Sequence, residues 1–323
     1  MRKFAFYLLG SVGLSIAGLF ALGPYESSDL AASFDEARLE SGVDDYVAKR
    51  EARFSDITSG VEKRVIWVDK REQKAAWSVL YIHGFSATSE EIRPVPDEVA
   101  KALSANLIYT RLTGHGRSGV ALADARISDW TADVAEALAI ARKIGDRVLI
   151  LSTSTGATLA TAAALDGDQM MQVAGLVMIS PNFGINNSMA ALLTWPAARY
   201  WLPVIAGQER SFEPRSERQE LYWTTRYPSA AIFPMAALVQ EVVSRDLSQA
   251  TVPALFIYSK EDRVVLPDAT ADVVARWGGP TKALHPTLGP LDDPFNHVIA
   301  GDIMSPGQTD SMIRDILAWA EDL

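Results

Sequence analysis

Ser154 lies in Leu151-Ser152-Thr153-Ser154-Thr155-Gly156, between the apolar run Val148–Leu151 and a stretch rich in small residues that holds Ala157, Ala160, Ala162 and Ala163. A short continuous apolar run reads as a strand buried on both faces, and the alanine-rich stretch as a helix. A serine on a tight strand-to-helix turn presents its hydroxyl as a nucleophile only if the residues two before and two after it are small. Here they are Ser152 and Gly156, so the pattern G-x-S-x-G is replaced by S-x-S-x-G. Serine and threonine clusters also simply cap helices; the strand before and the helix after favour the nucleophile.

A serine hydroxyl needs a base, and the base needs an acid to orient it. The chain has four histidines. His83 and His115 precede the serine. His297, in Phe295-Asn296-His297-Val298, follows a polar loop and precedes the last helix, which makes it the best-placed base. His285, one residue beyond a strand and just before Pro286, is its competitor. For the acid, Asp262 follows the strand Ala254–Tyr258 directly. The 35 residues from it to His297 leave room for one helix, one strand and a loop. Glu261 is one position off, Asp292 and Asp293 lie too close to His297 in sequence, and each of these acids also reads as plain surface charge. Ile82-His83-Gly84-Phe85 ends another strand. The backbone N–H of Phe85, with that of Thr155 next to the serine, would supply the two donors an oxyanion needs, and Gly84 would let the chain turn close to the substrate. The same dipeptide also reads as an ordinary turn.

These residues require strands that end on one side of a sheet. Val65–Val68, Ser78–Ile82, Leu107–Tyr109, Val148–Leu151, Leu176–Ile179, Ala254–Tyr258 and Thr281–Leu284 read as strands. Asp97–Leu103, Ser128–Ile144 (Ser128 as N-cap), Thr155–Leu165, Ala269–Trp277 and Thr309–Leu323 read as helices. This alternation predicts an α/β fold with a mostly parallel sheet and helices on both faces. Between Asn182 and Ala250 no strand pattern appears, while Trp195, Tyr200, Trp201, Tyr222, Trp223, Tyr227 and Phe233 gather among prolines. That stretch reads as a helical insertion, its aromatics serving either to line a pocket or to pack the insertion down.

At the N-terminus Arg2 and Lys3 precede an apolar run from Phe4 to Leu22. Its 19 residues would span roughly 28 Å as a helix, close to the thickness of a bilayer's hydrocarbon core. The run is longer than an ordinary signal-peptide core, and Pro24 directly follows the cleavage-like Ala21-Leu22-Gly23. The expectation is a signal anchor over 1–23, with the rest of the chain extracytoplasmic; the alternatives are secretion after cleavage or a buried core helix. The boundaries that follow are a loosely packed juxtamembrane spacer over 24–60, a first part of the core over 61–181, a cap over 182–250 and a second part of the core over 251–323. With 323 residues, 48% hydrophobic and 22% charged, the chain is globular rather than disordered. A formal net charge of −10 with no basic run argues against a nucleic-acid partner. The absence of cysteine excludes disulfides, a thiol nucleophile and cysteine-based metal sites.

His83-Gly84-Phe85, Gly114-His115-Gly116-Arg117-Ser118, the Ser154 turn, Ser259-x-x-Asp262-x-x-Val265 and Asn296-His297-Val298 together resemble the monoacylglycerol lipase and lysophospholipase-like branch of the α/β-hydrolases, the serine aminopeptidase-like group. The likeness covers Val61 to Leu323, the insertion matching in position alone. It implies a Ser154-Asp262-His297 triad, a helical cap, no cofactor or metal, and hydrolysis of an apolar carboxylic ester, in a small molecule or a lipid, through an acyl-enzyme. Ser152 and the leading apolar segment depart from the pattern without removing a catalytic group. A peptidase, amidase or thioesterase using the same triad, or a catalytically silent anchored binding protein, are the rival readings.

Overall fold

The computed structural model describes residues 17–323. Nine strands are present in them: β1 (Arg64–Ile66), β2 (Ala75–Ile82), β3 (Asn106–Tyr109), β4 (Gly145–Thr153), β5 (Val173–Ile179), β6 (Glu209–Ser211), β7 (Arg226–Pro228), β8 (Ala254–Ile257) and β9 (Thr281–Leu284). Seven of them form one sheet in the order β1-β3-β2-β4-β5-β8-β9. Only the β1–β3 pair is antiparallel. β4 is central, and Val148 to Leu151 are buried on both faces as their unbroken apolarity requires.

Each face of the sheet carries its own core. On one side Ile127–Ile144, Thr155–Ala164 and Ile232–Ser244 cover Leu80, Ile82, Val148 and Ile150. On the other, Val95–Ala102 and Thr309–Ala320 cover Val79, Tyr81, Leu149 and Leu151. The long helix starts at Ile127 instead of being capped by Ser128, because Asp129 Oδ2 reaches back to accept the Arg126 N–H at 2.9 Å.

Two expectations need correction. The segment 24–60 is not a loose spacer. Its helix Val43–Glu51 buries Val43, Tyr46 and Val47 in the core, and Glu51 holds Arg111 through two hydrogen bonds of 2.7 and 2.9 Å. Next to it Lys63 is buried against Asp133, at 2.7 Å, and Glu136. The insertion is not purely helical. β6 and β7 pair antiparallel, Arg210 opposite Tyr227, in strands too short to carry an alternating pattern. Its last helix, Ile232–Ser244, sinks Leu238, Val239 and Val242 into the main core, so the cap proper ends earlier than residue 250. As to the membrane span, residues 1–16 of the apolar run lie outside the described residues. Residues 17–22 are helical with Leu19, Phe20 and Leu22 exposed, and among the described residues no helix is long and apolar enough to cross a membrane.

Candidate active site

β4 delivers Ser154 to the C-terminal edge of the sheet, where the chain reverses abruptly into Thr155–Ala164. Ser154 has φ 51° and ψ −118°, a conformation that costs about 1–3 kcal/mol and persists only where its surroundings hold it. They do so here: its N–H donates to Ile179 O at 3.0 Å, and its C=O accepts the Asn182 N–H at 3.1 Å. Gly156 is obligatory in this turn, since a Cβ there would meet Ile82 O at 2.2 Å and His83 O at 2.6 Å. Ser152, the departure from glycine, is fully buried, and its hydroxyl donates to Val177 O on β5 at 3.0 Å. The serine thus ties β4 to β5, and its small size still leaves the turn room.

His297 Nε2 lies 3.0 Å from Ser154 Oγ, and its Nδ1 lies 2.8 Å from Asp262 Oδ2. With Nδ1–H donating to the carboxylate, Nε2 is left to accept the serine proton. The second oxygen of Asp262 accepts the N–H groups of Val264 and Val265 at 2.8 and 2.9 Å, so the buried carboxylate is fully satisfied. Glu261 is exposed, one step out of register. His285 stands apart, its Nδ1 3.1 Å from Tyr258 O and its ring edge-on to that tyrosine. Burial alone would depress the pKa of His297, but the charge and hydrogen bond of Asp262, with Glu91 and Asp293 further off, raise it above the ordinary imidazole value.

The histidine loop is shaped by an acid that sequence reasoning set aside. Asp293 Oδ2 accepts the N–H groups of His297 and Val298 at 3.1 and 2.9 Å, and its Oδ1 accepts that of Phe295 at 3.1 Å. Asn296, at φ 55°, takes the left-handed conformation that asparagine tolerates and turns His297 inward. Asp292, in turn, accepts from Gly289 and Gly307 and pins the loop's flanks.

Phe85 and Thr155 stand at the ends of β2 and β4, which are hydrogen-bonded neighbours through Ile82 and Ser152. Thr155 opens its helix, so its N–H has no intrahelical acceptor. Among the described residues neither the Phe85 nor the Thr155 N–H is used in a hydrogen bond. His83 is structural: Nδ1 donates to Gly84 O at 2.9 Å and Nε2 accepts the Leu112 N–H at 3.1 Å. Its burial lowers its pKa to about 4 and keeps it neutral. The cap reaches down onto this loop, with Thr224 N–H donating to Ser86 O at 2.7 Å and the Tyr227 ring edge-on to Phe85 at 5.5 Å. Among the described residues no group of three potential ligands could hold a metal ion.

The family described as serine aminopeptidase, S33 matches residues 73–289. A thermostable monoacylglycerol lipase from Bacillus sp. (strain H-257) is 26% identical over 196 residues, which is 61% of this chain and 74% of that protein. A structure from work on LipS and LipT, two metagenome-derived lipolytic enzymes, superposes with a TM-score of 0.66 at 22% identity, over 83% of this chain and all of the other. A soluble variant of monoglyceride lipase from Saccharomyces cerevisiae, in complex with a substrate analogue, gives a TM-score of 0.55 at 11% identity, over 80% of this chain and 90% of that one. These structural likenesses carry the fold.

Proposed function

Given that the chain belongs to the serine aminopeptidase, S33 family of α/β-hydrolases and is a serine ester hydrolase, we propose that Ser154, His297 and Asp262 form its catalytic triad and that its substrates are esters of apolar acyl groups, monoacylglycerols or related lipid esters among them. The observation that carries this reading is the unbroken relay of 3.0 Å from Ser154 Oγ to His297 Nε2 and 2.8 Å from His297 Nδ1 to Asp262.

In the proposed reaction Ser154 Oγ attacks the ester carbonyl while His297 Nε2 takes its proton. Asp262 stabilises the imidazolium that results and stays ionised. The N–H groups of Phe85 and Thr155 receive the developing oxyanion. His297 then protonates the departing alcohol, and water, activated by the same ring, hydrolyses the acyl-enzyme. No step calls for a cofactor.

Two things support a lipid substrate. The thermostable relative is a monoacylglycerol lipase. The cap also exposes Trp195, Tyr200, Val204 and Ile205 beside the emerging N-terminal segment, where Phe20 packs edge-on to Trp195 at 5.2 Å and Pro24 O accepts the Ala197 N–H at 2.7 Å. An anchor over Phe4–Leu22 would hold that apolar face against the extracytoplasmic surface of a membrane, where acyl chains are available. The test is labelling by a fluorophosphonate probe together with a p-nitrophenyl ester chain-length panel set against aminoacyl amides. Expected are labelling of the wild type that is lost in Ser154→Ala, and a preference for esters. Faster cleavage of the amides would turn the reading to a peptidase, and labelling that survives Ser154→Ala would move the nucleophile.

A further inference from the structure

An acid lies beneath the oxyanion loop that the reaction above leaves unused. Glu91 is only 2% exposed. Its Oε2 accepts the Gly84 N–H at 2.7 Å and the Tyr81 hydroxyl at 3.0 Å. The same hydroxyl lies 3.1 Å from Thr153 Oγ1. Gly84 directly precedes Phe85, and Thr153 directly precedes Ser154. One carboxyl therefore touches the loop that carries one oxyanion donor and, through a single tyrosine, the turn that carries the nucleophile and the other donor.

The packing is as close as the hydrogen bonding. A Cβ on Gly84 would sit 2.7 Å from Glu91 Oε1 and 3.1 Å from Ser154 Cβ, so the Gly84 backbone is held between the acid and the nucleophile. From the far side Gly301 backs the acid's own segment, where a Cβ would meet Ile92 Cα at 2.5 Å and Glu91 O at 3.0 Å. An apolar side chain would fill this space without losing hydration. The acid instead bears the cost of burial, which pushes its pKa up to about 7 against the opposing effects of the Gly84 amide, His297 and Tyr81.

Resting on the assignment of Ser154 as nucleophile and Phe85 as oxyanion donor, we infer that Glu91 is a positioning residue: its carboxyl fixes the Gly84 peptide and, through Tyr81 and Thr153, sets the distance between the oxyanion loop and the nucleophile turn. Two N–H donors stabilise a transition state only where they meet the developing charge, and misplacement by about 1 Å costs on the order of a hundredfold in rate. Glu91 touches no substrate atom, so its loss acts on the rate of acylation and spares ground-state binding.

The experiment compares Glu91→Ala and Glu91→Gln in the full chain, with steady-state hydrolysis of p-nitrophenyl butyrate, the rate of fluorophosphonate labelling, and thermal melts. Glu91→Ala should lower kcat and the labelling rate ten- to a hundredfold with KM within threefold of wild type. Glu91→Gln, which keeps an acceptor for Gly84, should restore both rates to within about threefold. A folded Glu91→Ala with wild-type kcat, or a loss that Gln does not restore, overturns the inference while leaving the hydrolase intact. Should Glu91→Ala fail to fold, Tyr81→Phe decides, because it removes the hydroxyl that links Glu91 to Thr153 and leaves the bond from Gly84 to Glu91 in place. A three- to tenfold lower kcat at unchanged KM supports the inference, and an unchanged kcat overturns it. A wild type that is not labelled would overturn the nucleophile assignment and this inference with it.

Discussion

Gly156→Ala is the sharpest test of the turn that carries Ser154. The added Cβ would lie 2.2 Å from Ile82 O, 2.6 Å from His83 O and 2.8 Å from Ile82 C. All three are backbone atoms at the end of β2, so no side-chain rotation relieves the contact. Restoring even a tight 3.0 Å approach requires the helix Thr155–Ala164 and the end of β2 to part by roughly 0.8 Å. That movement separates the two proposed oxyanion donors, Thr155 on the helix and Phe85 beyond β2. A misplacement of about this size costs on the order of a hundredfold in kcat, or about 2.7 kcal/mol of transition-state stabilisation. The overpacking itself should lower stability by about 1–3 kcal/mol. Gly167→Ala is the control: a Cβ there meets nothing within 4 Å, so both stability and kcat should hold. The assay pairs p-nitrophenyl butyrate kinetics with urea unfolding of both variants. A Gly156→Ala enzyme with kcat within twofold of wild type and an unchanged unfolding midpoint would refute the steric account of the turn.

Three further predictions concern charge. Protonated His297 cannot accept the serine proton, so kcat/KM should fall on the acid side with a midpoint above the ordinary value of 6.5; Glu91→Gln, which removes one of the acids that raise it, should move the midpoint down, and a wild-type midpoint at or below 6.5 would refute the assignment. Stability runs the other way: a base with a raised folded pKa contributes fully below its unfolded pKa and loses that contribution as pH rises through the folded one, so His297→Gln should cost more stability near pH 5 than near pH 8. Lys63→Met leaves Asp133 buried without a cation and Glu136 with Arg50 alone, and should destabilise by about 3–5 kcal/mol, measured by urea unfolding, with kcat of the folded enzyme unchanged; a loss under 1 kcal/mol would show that Arg50 and the neighbouring donors suffice for both acids.

The parts of the site that were legible in the sequence are those whose local structure and chemistry coincide. Val148–Leu151 is apolar because β4 is central, and the small residues after Ser154 are there because the helix crosses close to β2, so one stretch signals both strand and turn. Asp262 was separable from Glu261 by its place after β8, and burial divides them accordingly. What escaped were polar residues whose partners are distant in sequence. Glu91 follows Ser89 and Glu90, a run that reads as solvated surface, and it is enclosed only in the fold, by Gly84 and Tyr81 on one side and by the packing of Gly301 against its segment on the other. Asp293 looked too near His297 to act on it, yet that nearness lets its carboxylate accept the histidine's own N–H. The helix Val43–Glu51 hid its three core residues among charges, because two of its charged groups, Arg50 and Glu51, are spent on partners far along the chain, Glu136 and Arg111.

The three parts of the proposed site are held by three different devices, each suited to the role proposed for its residue. Ser154 must not relax away from the substrate, and a strained φ of 51°, locked by bonds to Ile179 and Asn182, leaves it one conformation. His297 must change its protonation without leaving its place, so its backbone is clamped by Asp293 while its ring is held only by the two hydrogen bonds of the relay. Phe85, as the proposed oxyanion donor, must offer an N–H at a fixed point without using it. Its loop is gripped from below by Glu91 through Gly84, from the side by His83 through Leu112, and from above by the cap through Thr224 and Tyr227. The last grip makes the cap part of the frame that holds the proposed oxyanion loop. A cap that lifted whole would break the Thr224–Ser86 bond and the Tyr227–Phe85 contact together. Its outer helix Ala198–Ala206, which carries the exposed Tyr200, Val204 and Ile205, makes neither of those contacts, and its Arg199 is held by Glu26 of the N-terminal segment.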